Sequence, residues 1–466
     1  MNKKVISSGV WFTISNFIVR SIGFITTPIF TRMLTKAEFG DYSNFAAWAS
    51  LALVVTSLNL EASLIRARFD HEKHLNDYAF SIIVLSAVST VCWYLVFNCF
   101  SSYFSSWLAI DEKYIHCMFA YLIFYPAVNI FQTMERFQYK YKWTVLVSLS
   151  IAVSTALLSV LLVIILPNGL TGRVLGFVIP AAIAGLAIYL FYVRHRSRVD
   201  IVYWKYALPF TLPFIPHLLA MNLLSNMDRI MIKRFCGAND LALYSLAYTC
   251  GTIISILVTS INSAYSPWLG EMLSKGNYGR INKISIPYVS FFVYCAIGAT
   301  LVIPEVLYLL GGTNYMEAMY VMPPVAASTI LQFIYCMYVN VEQYEKRTQM
   351  MAVASVLSVL CNYGLNYYFI PIYGYIAAAY TTYASYFILM VLHMMIVRKI
   401  GRHIVYPNFI IVGIAVISSA VMFCTTYVMD KPIIRYMIVC FYGIAGASVA
   451  IKNKELILQF IKKKKV

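Results

Sequence analysis

Residues 207–269 read ALPFTLPFIPHLLAMNLLSNMDRIMIKRFCGANDLALYSLAYTCGTIISILVTSINSAYSPWL, two long apolar runs joined by the polar stretch Lys233–Asp240. Each run is long enough to cross the hydrocarbon core of a bilayer, which takes about 20 apolar residues in a helix. Ionisable side chains inside a membrane are costly, and they therefore mark candidate functional positions. The first run carries four polar or charged residues of interest: Asn222, Asn226, Asp228 and Arg229.

The same design occurs about 202 residues earlier in the chain. There an apolar run that carries Asn16 and Arg20 ends in the joint Arg32–Ser43. A second correspondence, at an offset of about 205, relates residues 138–139 to residues 343–344, which are Gln-Tyr in both places. Two correspondences at nearly equal offsets predict that spans one to six are repeated as spans seven to twelve. Because six is an even number, both copies enter the membrane from the same face, and the repeat is parallel.

The composition assigns the chain to the membrane proteins. It is 61% hydrophobic and only 12% charged, with a mean hydropathy of +0.73, whereas a soluble domain carries roughly twice that charge. Repeated apolar runs indicate an all-α polytopic membrane protein. The formal charge of +17 comes from Lys and Arg in short loops between the runs, so we expect no nucleic-acid partner.

We predict about fourteen transmembrane helices. Six form an N-terminal lobe in residues 1–200 and six form a C-terminal lobe in residues 201–400, while residues 401–466 supply the last two and a basic cytoplasmic tail. The predicted limits of the spans are 5–31, 39–64, 78–103, 114–133, 143–166, 171–193, 207–232, 241–269, 284–309, 318–341, 348–370, 374–397, 406–428 and 433–451.

Lys and Arg are distributed unequally between the two sides of the predicted membrane domain. If successive loops alternate between sides, 26 of these residues lie on the side of the N-terminus and 8 on the other, with Arg20 and Arg229 inside spans. On the positive-inside rule, this bias places both termini in the cytoplasm and favours an even number of spans.

The cysteines and histidines indicate no metal site. Ten cysteines lie singly, mostly inside apolar runs, and no pair has metal or redox spacing. We interpret them as small buried hydrophobic residues. The seven histidines include no set with metal-ligand spacing. We therefore expect no metal, no cofactor and no catalytic residue.

Asn16 and Arg20 are four residues apart and share one face of the first span. Arg20 falls near the middle of the span, where a charged side chain is expensive. One interpretation is a cation in a water-filled central cavity that binds an anionic head group, because the planar guanidinium binds phosphate oxygens through two hydrogen bonds. The alternative is a structural arginine that is paired with carbonyls or with an acid on a neighbouring helix.

In span seven, Asn222, Asn226 and Arg229 follow the spacing i, i+4, i+7 and form one polar stripe, which we expect to line the same cavity. Asp228 is rotated by about 100° from Arg229, so the two do not form a self-contained pair. Asp228 is a candidate for coupling transport to a proton or another cation. The alternative is that both charges belong to the outer interface, where basic residues of the joint hold them.

Prolines occur in corresponding helices of the predicted repeat: Pro28 in span one, and Pro209, Pro213 and Pro216 in span seven. Proline removes a backbone hydrogen bond and permits bending. Bending in the first helix of each lobe would open or close a lateral gap to lipid, and a static kink is the alternative.

Other polar residues in the spans are weaker signals. Glu61 and Glu305 lie near span ends, where we expect interfacial positions. The uncharged polar residues either line a hydrophilic path or bond helix to helix. They are Tyr125, Asn129, Gln132, Gln332, Asn340, Asn362 and Asn366.

Thr27–Leu34, with Phe39–Tyr42 after it, resembles the start of the polysaccharide-transporter family. A second mark of that family is Asp228–Ile232, followed by Gly237 and by Tyr244–Ser245. The family is part of the MOP exporter superfamily, beside the MATE drug exporters and the lipid II flippases. The resemblance covers both predicted lobes and agrees with a count of fourteen spans.

The resemblance implies a MATE-like fold and a Wzx-type flippase. Such proteins move undecaprenyl-pyrophosphate-linked oligosaccharide, an O-antigen or capsule repeat unit, from the inner to the outer leaflet of the bacterial plasma (inner) membrane. The resemblance also implies a cationic central cavity, alternating access and coupling to an ion gradient. The resemblance also implies a functionally important arginine in the first helix, and Arg20 is the residue here that would take that role. The implied partners are the lipid-linked oligosaccharide, membrane lipid, and the polysaccharide polymerase and chain-length machinery.

Two other functions stay open at this stage. A MATE-like antiporter of organic cations or drugs would need acidic residues in its cavity, whereas the intramembrane charges here include Arg20 and Arg229. A polysaccharide polymerase, the enzymatic alternative, generally needs an extended outer loop with catalytic residues, and the predicted outer loops are short. Transport is therefore favoured over enzymatic catalysis.

Overall fold

The computed structural model describes residues 3–138, 140–345, 348–400 and 405–452. Within these ranges, the side chains of some helical residues lie outside the description: those of residues 3–10, 12–14, 16, 217, 264, 348, 349 and 449–452. The described chain is almost entirely α-helical and contains no strand, so the predicted all-α class is confirmed.

Nine α-helices lie in the first half of the described chain, up to residue 211. Their bounds are α1 Lys3–Met33, α2 Lys36–Thr56, α3 Leu64–Asp70, α4 Leu75–Cys99, α5 Ser101–Leu108, α6 Glu112–Phe137, α7 Tyr141–Ile165, α8 Gly169–Arg194 and α9 Ile201–Thr211.

Nine more α-helices follow in the described residues from 215 onward. Their bounds are α10 Ile215–Phe235, α11 Ala238–Ser274, α12 Tyr278–Leu301, α13 Ile303–Gly311, α14 Met322–Tyr344, α15 Thr348–Tyr373, α16 Tyr375–Ile400, α17 Asn408–Thr425 and α18 Pro432–Lys452.

Ten helices of the described chain are long and apolar enough to cross a membrane: α4, α6, α7, α8, α11, α12, α14 to α17. Two further spans are added if each of two bent helix pairs crosses the membrane as one unit. The chain is therefore a polytopic helical membrane protein. The 31-residue α1 and the 21-residue α18 stand outside this count, and the total of fourteen spans stays a prediction.

Both bends occur in the helices that flank the predicted repeat joints. The pair Ile201–Phe214 and Leu218–Phe235 is bent by 50°, where Pro209, Pro213 and Pro216 interrupt the helical hydrogen bonding. The pair Lys36–Thr56 and Leu60–Asp70 is bent by 49°. By contrast, α1 continues through Pro28 as one helix.

A capping box starts α2 inside the first joint. The Thr35 hydroxyl accepts from the backbone N–H of Glu38, and the Glu38 carboxylate accepts from the backbone N–H of Thr35 at 2.9 Å. This exchange satisfies two backbone donors that the start of a helix otherwise leaves without partners. The Glu38 carboxylate also accepts from the backbone N–H of Leu170 at 3.3 Å, which ties the joint to the start of α8.

The two joints from which the repeat is predicted contact each other. Gly40 lies so close to Ala238 that a Cβ atom at position 40 would stand 1.9 Å from the Ala238 carbonyl oxygen. Lys233 forms an ion pair with Asp41 at the same place, and α2 packs along α10. Only glycine permits this close backbone approach at position 40.

The chain folds as two compact units, each assembled from separate stretches of sequence. One comprises Met1–Leu246, Leu310–Gly312 and Ala352–Thr382, and the other comprises Ala247–Leu309, Thr313–Met351 and Tyr383–Val466. Both joints belong to the first unit. The predicted lobes, with limits at residues 200 and 400, describe the sequence repeat and stay a prediction.

Candidate functional site

Asp228 lies at the centre of a buried hydrogen-bond cluster in the first unit. Its carboxylate accepts from the Tyr244 hydroxyl at 2.5 Å, from Asn366 Nδ2 at 2.7 Å and from the Thr382 hydroxyl at 2.6 Å. These partners come from α11, α15 and α16, whereas Asp228 is on α10. The Asp228 side chain is only 2% exposed. Four helices therefore meet on one carboxylate.

A second layer of buried polar groups supports the carboxylate. Asn362 accepts from Asn366 Nδ2 at 3.1 Å and donates to the Thr382 hydroxyl at 3.3 Å, while Thr381 donates to the Asn366 side-chain oxygen. Asn362 and Asn366 are four residues apart, so both face the same side of α15. We call Asp228, Tyr244, Asn362, Asn366, Thr381 and Thr382 the Asp228 cluster.

The Asp228 cluster is chemically suited to a small cation. A buried carboxylate needs compensation for its lost hydration, and the three hydrogen-bond donors that reach it are neutral groups. Carboxylate, amide and hydroxyl oxygens are the ligands that hard cations prefer. Among the described residues, no group of three or more His, Cys, Asp and Glu is arranged to hold a metal ion. The oxygens of the cluster instead fit a proton or a monovalent cation.

Hydrogen bonds connect successive residues of the predicted stripe on α10. Arg229 Nη1 donates to the Asn226 side-chain oxygen at 2.9 Å, and Asn226 Nδ2 donates to the Asn222 carbonyl at 3.0 Å. The Asn222 side-chain oxygen accepts from the Ser50 hydroxyl of α2 at 3.0 Å. The stripe therefore reaches the helix α2, and Asp228 points into its own cluster.

The basic residues of the joint do not supply the hydrogen bonds of Asp228. Lys233 pairs with Asp41 of α2, and the carboxylate of Asp228 accepts from the hydroxyl and amide groups given above. The structure thus gives the basic joint residue Lys233 a partly exposed partner, Asp41, and leaves Asp228 buried among neutral donors.

The first-helix residues are described only in part. The side chain of Asn16 lies outside the described residues. The side chain of Arg20 is exposed, and α1 packs against α7 and α2. The structure therefore places Arg20 at an accessible position of a long helix.

Two other cations of the apolar region have visible partners. Arg435, on α18, donates two 2.6 Å hydrogen bonds to Glu305 and one of 3.0 Å to the Leu301 carbonyl. Arg173, on α8, lies over the rings of Phe30 and Tyr42. Both are arginines that stabilise contacts between helices, and this role sets them apart from the exposed Arg20.

Sequence reasoning found Asp228 and missed part of its surroundings. Tyr244 was visible only as part of the second family mark, Tyr244–Ser245, and Thr381 and Thr382 carry no signal because hydroxyl side chains are common inside membrane helices. Asn362 and Asn366 were predicted either to line a path or to bond helix to helix, and the structure shows the second of these arrangements. Their spacing of four on an apolar helix was the available signal.

The polysaccharide biosynthesis protein family matches residues 5–273, more than half of the chain. The chain therefore belongs to this family, and the resemblance read from the two joints is confirmed. The MatE family matches residues 213–368, which include most of the Asp228 cluster. The chain is thus a multi-pass membrane protein of the polysaccharide biosynthesis protein family.

Known proteins that resemble the chain agree with this assignment. A protein of the Lsg locus of Haemophilus influenzae is 24% identical over 77% of this chain and 89% of its own length. The solved structure of the lipid II flippase MurJ, in an inward closed conformation, matches 96% of this chain and 100% of its own with a TM-score of 0.69 and 14% identity.

An outward-facing multidrug resistance MATE family transporter of the MOP superfamily matches 85% of this chain and 95% of its own, with a TM-score of 0.57 and 14% identity. At these identities the solved structures establish the fold. The predicted MATE-like fold is therefore confirmed.

Proposed function

We propose that this protein is a flippase for undecaprenyl-pyrophosphate-linked oligosaccharide, and that it moves an O-antigen or capsule repeat unit from the inner to the outer leaflet. The observation that carries the proposal is the family match over residues 5–273. This match favours a cargo from polysaccharide biosynthesis over the other cargoes that proteins of this fold transport. The fold likeness to a lipid II flippase over nearly the whole chain supports the same class of substrate.

The charges of the proposed cavity suit a pyrophosphate head group. Arg20 is accessible on α1, and Arg229 is half-buried at the end of the stripe with Asn226 and Asn222. Guanidinium groups bind phosphate oxygens through two parallel hydrogen bonds, and side-chain amides suit sugar hydroxyls. The polyprenyl chain needs no such path, because it stays in the hydrocarbon of the membrane.

Alternating access is supported by the bends and by the contact of the joints. The bend at the start of α10 and the bend at the end of α2 lie in two helices that pack along each other. On the positive-inside rule, the contact of Gly40 with Ala238 lies at the outer face. In our proposal this contact closes the outer end of the path, and its separation releases the head group into the outer leaflet.

Asp228 couples the movement to an ion gradient in this proposal. Its carboxylate holds residues of α11, α15 and α16 together. A cation or proton that binds there changes the charge at the point where four helices meet, and it can therefore bias their packing. The carboxylate and the surrounding hydroxyl and amide oxygens suit a bound cation as well as a proton.

The test is complementation in a strain that lacks its own flippase and carries a matched glycan pathway. Wild type should restore surface polysaccharide, and Arg20→Ala should abolish it at a normal protein level, with the lipid-linked unit retained in the inner leaflet. Arg20→Lys should keep part of the activity because the positive charge remains. Arg66→Ala is the matched control, since Arg66 is an exposed arginine that pairs with Asp70 outside the proposed path.

Two results would contradict the proposal. Full activity of Arg20→Ala would remove Arg20 from the path of the anionic head group. If the lipid-linked unit reaches the outer leaflet without this protein but stays unpolymerised, the protein would be assigned to polymerisation rather than to flipping. A reporter fused after Val466 tests the orientation. We place the protein in the bacterial plasma membrane with both termini in the cytoplasm. Polymerase and chain-length proteins of the same membrane would receive the product.

A second candidate function is antiport of organic cations or drugs. The observation that favours it is the MatE match over residues 213–368, which contains the buried acid Asp228. Drug susceptibility of the same strains separates the two functions. Resistance that depends on Asp228 but not on Arg20 would select the antiporter, whereas restored polysaccharide without resistance selects the flippase.

A further inference from the structure

The second unit contains a buried acid–base pair that plays no part in the site described above. His393 Nδ1 lies 2.8 Å from Glu342 Oε1, and the side chains of Glu342 and His393 are 0% and 2% exposed. Glu342 is in the last turn of α14, and His393 is in the second half of α16. Ionisable groups at such depth in a membrane protein are rare and are functional candidates.

The second carboxylate oxygen of Glu342 has no hydrogen-bond partner among the described residues. Glu342 Oε2 is buried and makes no hydrogen bond to any described residue. A carboxylate and an imidazole that share one proton are neutral as a pair, which makes their burial tolerable. An oxygen that is left without a donor is costly in the same setting. A contact selected only to hold α14 against α16 would be expected to satisfy both oxygens.

The described side chains that stack on the pair are neutral. The Tyr335 ring stacks on His393 with centroids 5.6 Å apart, and Tyr386 stacks on Tyr335 at 6.1 Å. Further titratable groups of the surrounding helices are Tyr265, Tyr288, Cys336, Tyr338 and Tyr406. Asp240 is half-buried near the start of α11. The other described charged side chains on α16 itself and on elements that pack against α14 are exposed, and they are Glu271, Arg280, Lys283, Glu317, Arg398 and Lys399. The helices α15 and α17 carry no Asp, Glu, Lys, Arg or His.

We propose that Glu342 and His393 form a proton-binding site, separate from the Asp228 cluster. In the buried state the pair holds one proton and is neutral. When water reaches Oε2, a hydronium ion gives its proton to that oxygen: an O–H bond forms, water leaves, and the charge of the pair rises from zero to +1. Burial of the site then expels the second proton, because an uncompensated charge is unfavourable there. The proposal does not depend on the lipid-linked substrate.

The position of Glu342 gives the proton a short route. Glu342 lies two residues before the end of α14 at Tyr344, and the next loop carries Lys346 and Arg347, which the positive-inside rule places in the cytoplasm. Two ligands are too few for a metal site, and among the described residues no third His, Cys, Asp or Glu joins them. The ligand that this chemistry fits is therefore a proton.

The test is infrared difference spectroscopy of the full-length protein in lipid membranes between about pH 5 and pH 9. Wild type should show a titrating protonated-carboxyl band that is absent from Glu342→Gln. In His393→Asn this band should persist to more alkaline pH, because no imidazolium remains beside the carboxyl. Glu135→Gln is the control: Glu135 is also buried near the end of a helix, α6, with an oxygen that lacks a partner, but its substitution should leave the His393-dependent band unchanged.

The proposal is overturned if Glu342→Gln keeps the whole titrating band, or if wild type shows no band that responds to His393→Asn. Either result would make the pair a fixed contact between α14 and α16. If Glu342→Gln does not fold, the comparison of wild type with His393→Asn decides the question. Neither readout requires transport, so failure of the flippase assignment and failure of this proposal are distinguishable.

Discussion

The Asp228 cluster and the Glu342–His393 pair are two solutions to the same problem, a carboxylate buried in an apolar helix bundle. Asp228 receives three hydrogen bonds from neutral donors. Glu342 has one titratable partner and one oxygen without a partner. Hydroxyl and amide donors that stay neutral near pH 7 stabilise the ionised form of an acid, whereas an imidazole can give up or keep a proton in that range. The comparison teaches that, if both proposals hold, the partner rather than the burial sets which ion each site exchanges.

The largest expected effect comes from removing the carboxylate of Asp228, which accepts more hydrogen bonds than that of Glu342. Asp228→Ala leaves Tyr244, Asn366 and Thr382 without their acceptor, so the free energy of unfolding in detergent should fall by about 3 kcal/mol and polysaccharide export by at least about tenfold. Asp228→Asn keeps the shape and one acceptor oxygen. It should stay within about 1 kcal/mol of wild type and still lose export. Wild-type export in Asp228→Asn would separate this carboxylate from coupling.

The next effect tests whether Glu342 and His393 act as one unit. Each of Glu342→Leu and His393→Leu should destabilise the protein by about 3 kcal/mol, because each leaves its partner buried alone. The double variant should cost clearly less than the sum, with a coupling energy of about 1 kcal/mol or more. Thermal unfolding in detergent measures the stability of wild type, the two single variants and the double variant. Additive losses would show that the two residues are independent.

A smaller effect is expected from one donor of the Asp228 cluster. Thr382→Val removes the 2.6 Å hydrogen bond to the carboxylate and should cost about 1–2 kcal/mol. The matched control is Thr300→Val, at an equally buried threonine whose hydroxyl donates to the Ala296 carbonyl of its own helix. That control should cost about 0.5 kcal/mol or less. Equal losses in both variants would remove the special role of Thr382.

The smallest effect is expected at the joint, where a third acid is only partly buried. The Asp41 side chain is 34% exposed and that of its partner Lys233 is 19% exposed, and such pairs contribute about 1 kcal/mol or less. Asp41→Asn should therefore change the melting temperature little, and salt should reduce the difference further. A loss of stability as large as that of Asp228→Ala would show that the position at the joint, rather than the depth of burial, determines how much these acids stabilise the protein.

The fold and the class of the protein followed from local properties of the chain. The predicted spans coincide with helices or with bent and broken helix pairs, because apolar length is a property of contiguous residues. The bend before α10 was visible in Pro209, Pro213 and Pro216. Asp228 could be singled out because a charge inside an apolar run is costly wherever the run packs.

The sites depended on the tertiary structure. Nothing in one sequence says that Thr382 and Asn366 meet Asp228, 138 to 154 residues away. Glu342 escaped notice because the predicted tenth span ends at residue 341, whereas α14 continues to Tyr344. By itself, therefore, the sequence determined the membrane helices and the family, while the repeat stays a prediction. Only the packing of α10, α11, α14, α15 and α16 decided which polar groups meet, because hydrogen bonds between helices depend on orientation and depth, which no contiguous stretch encodes.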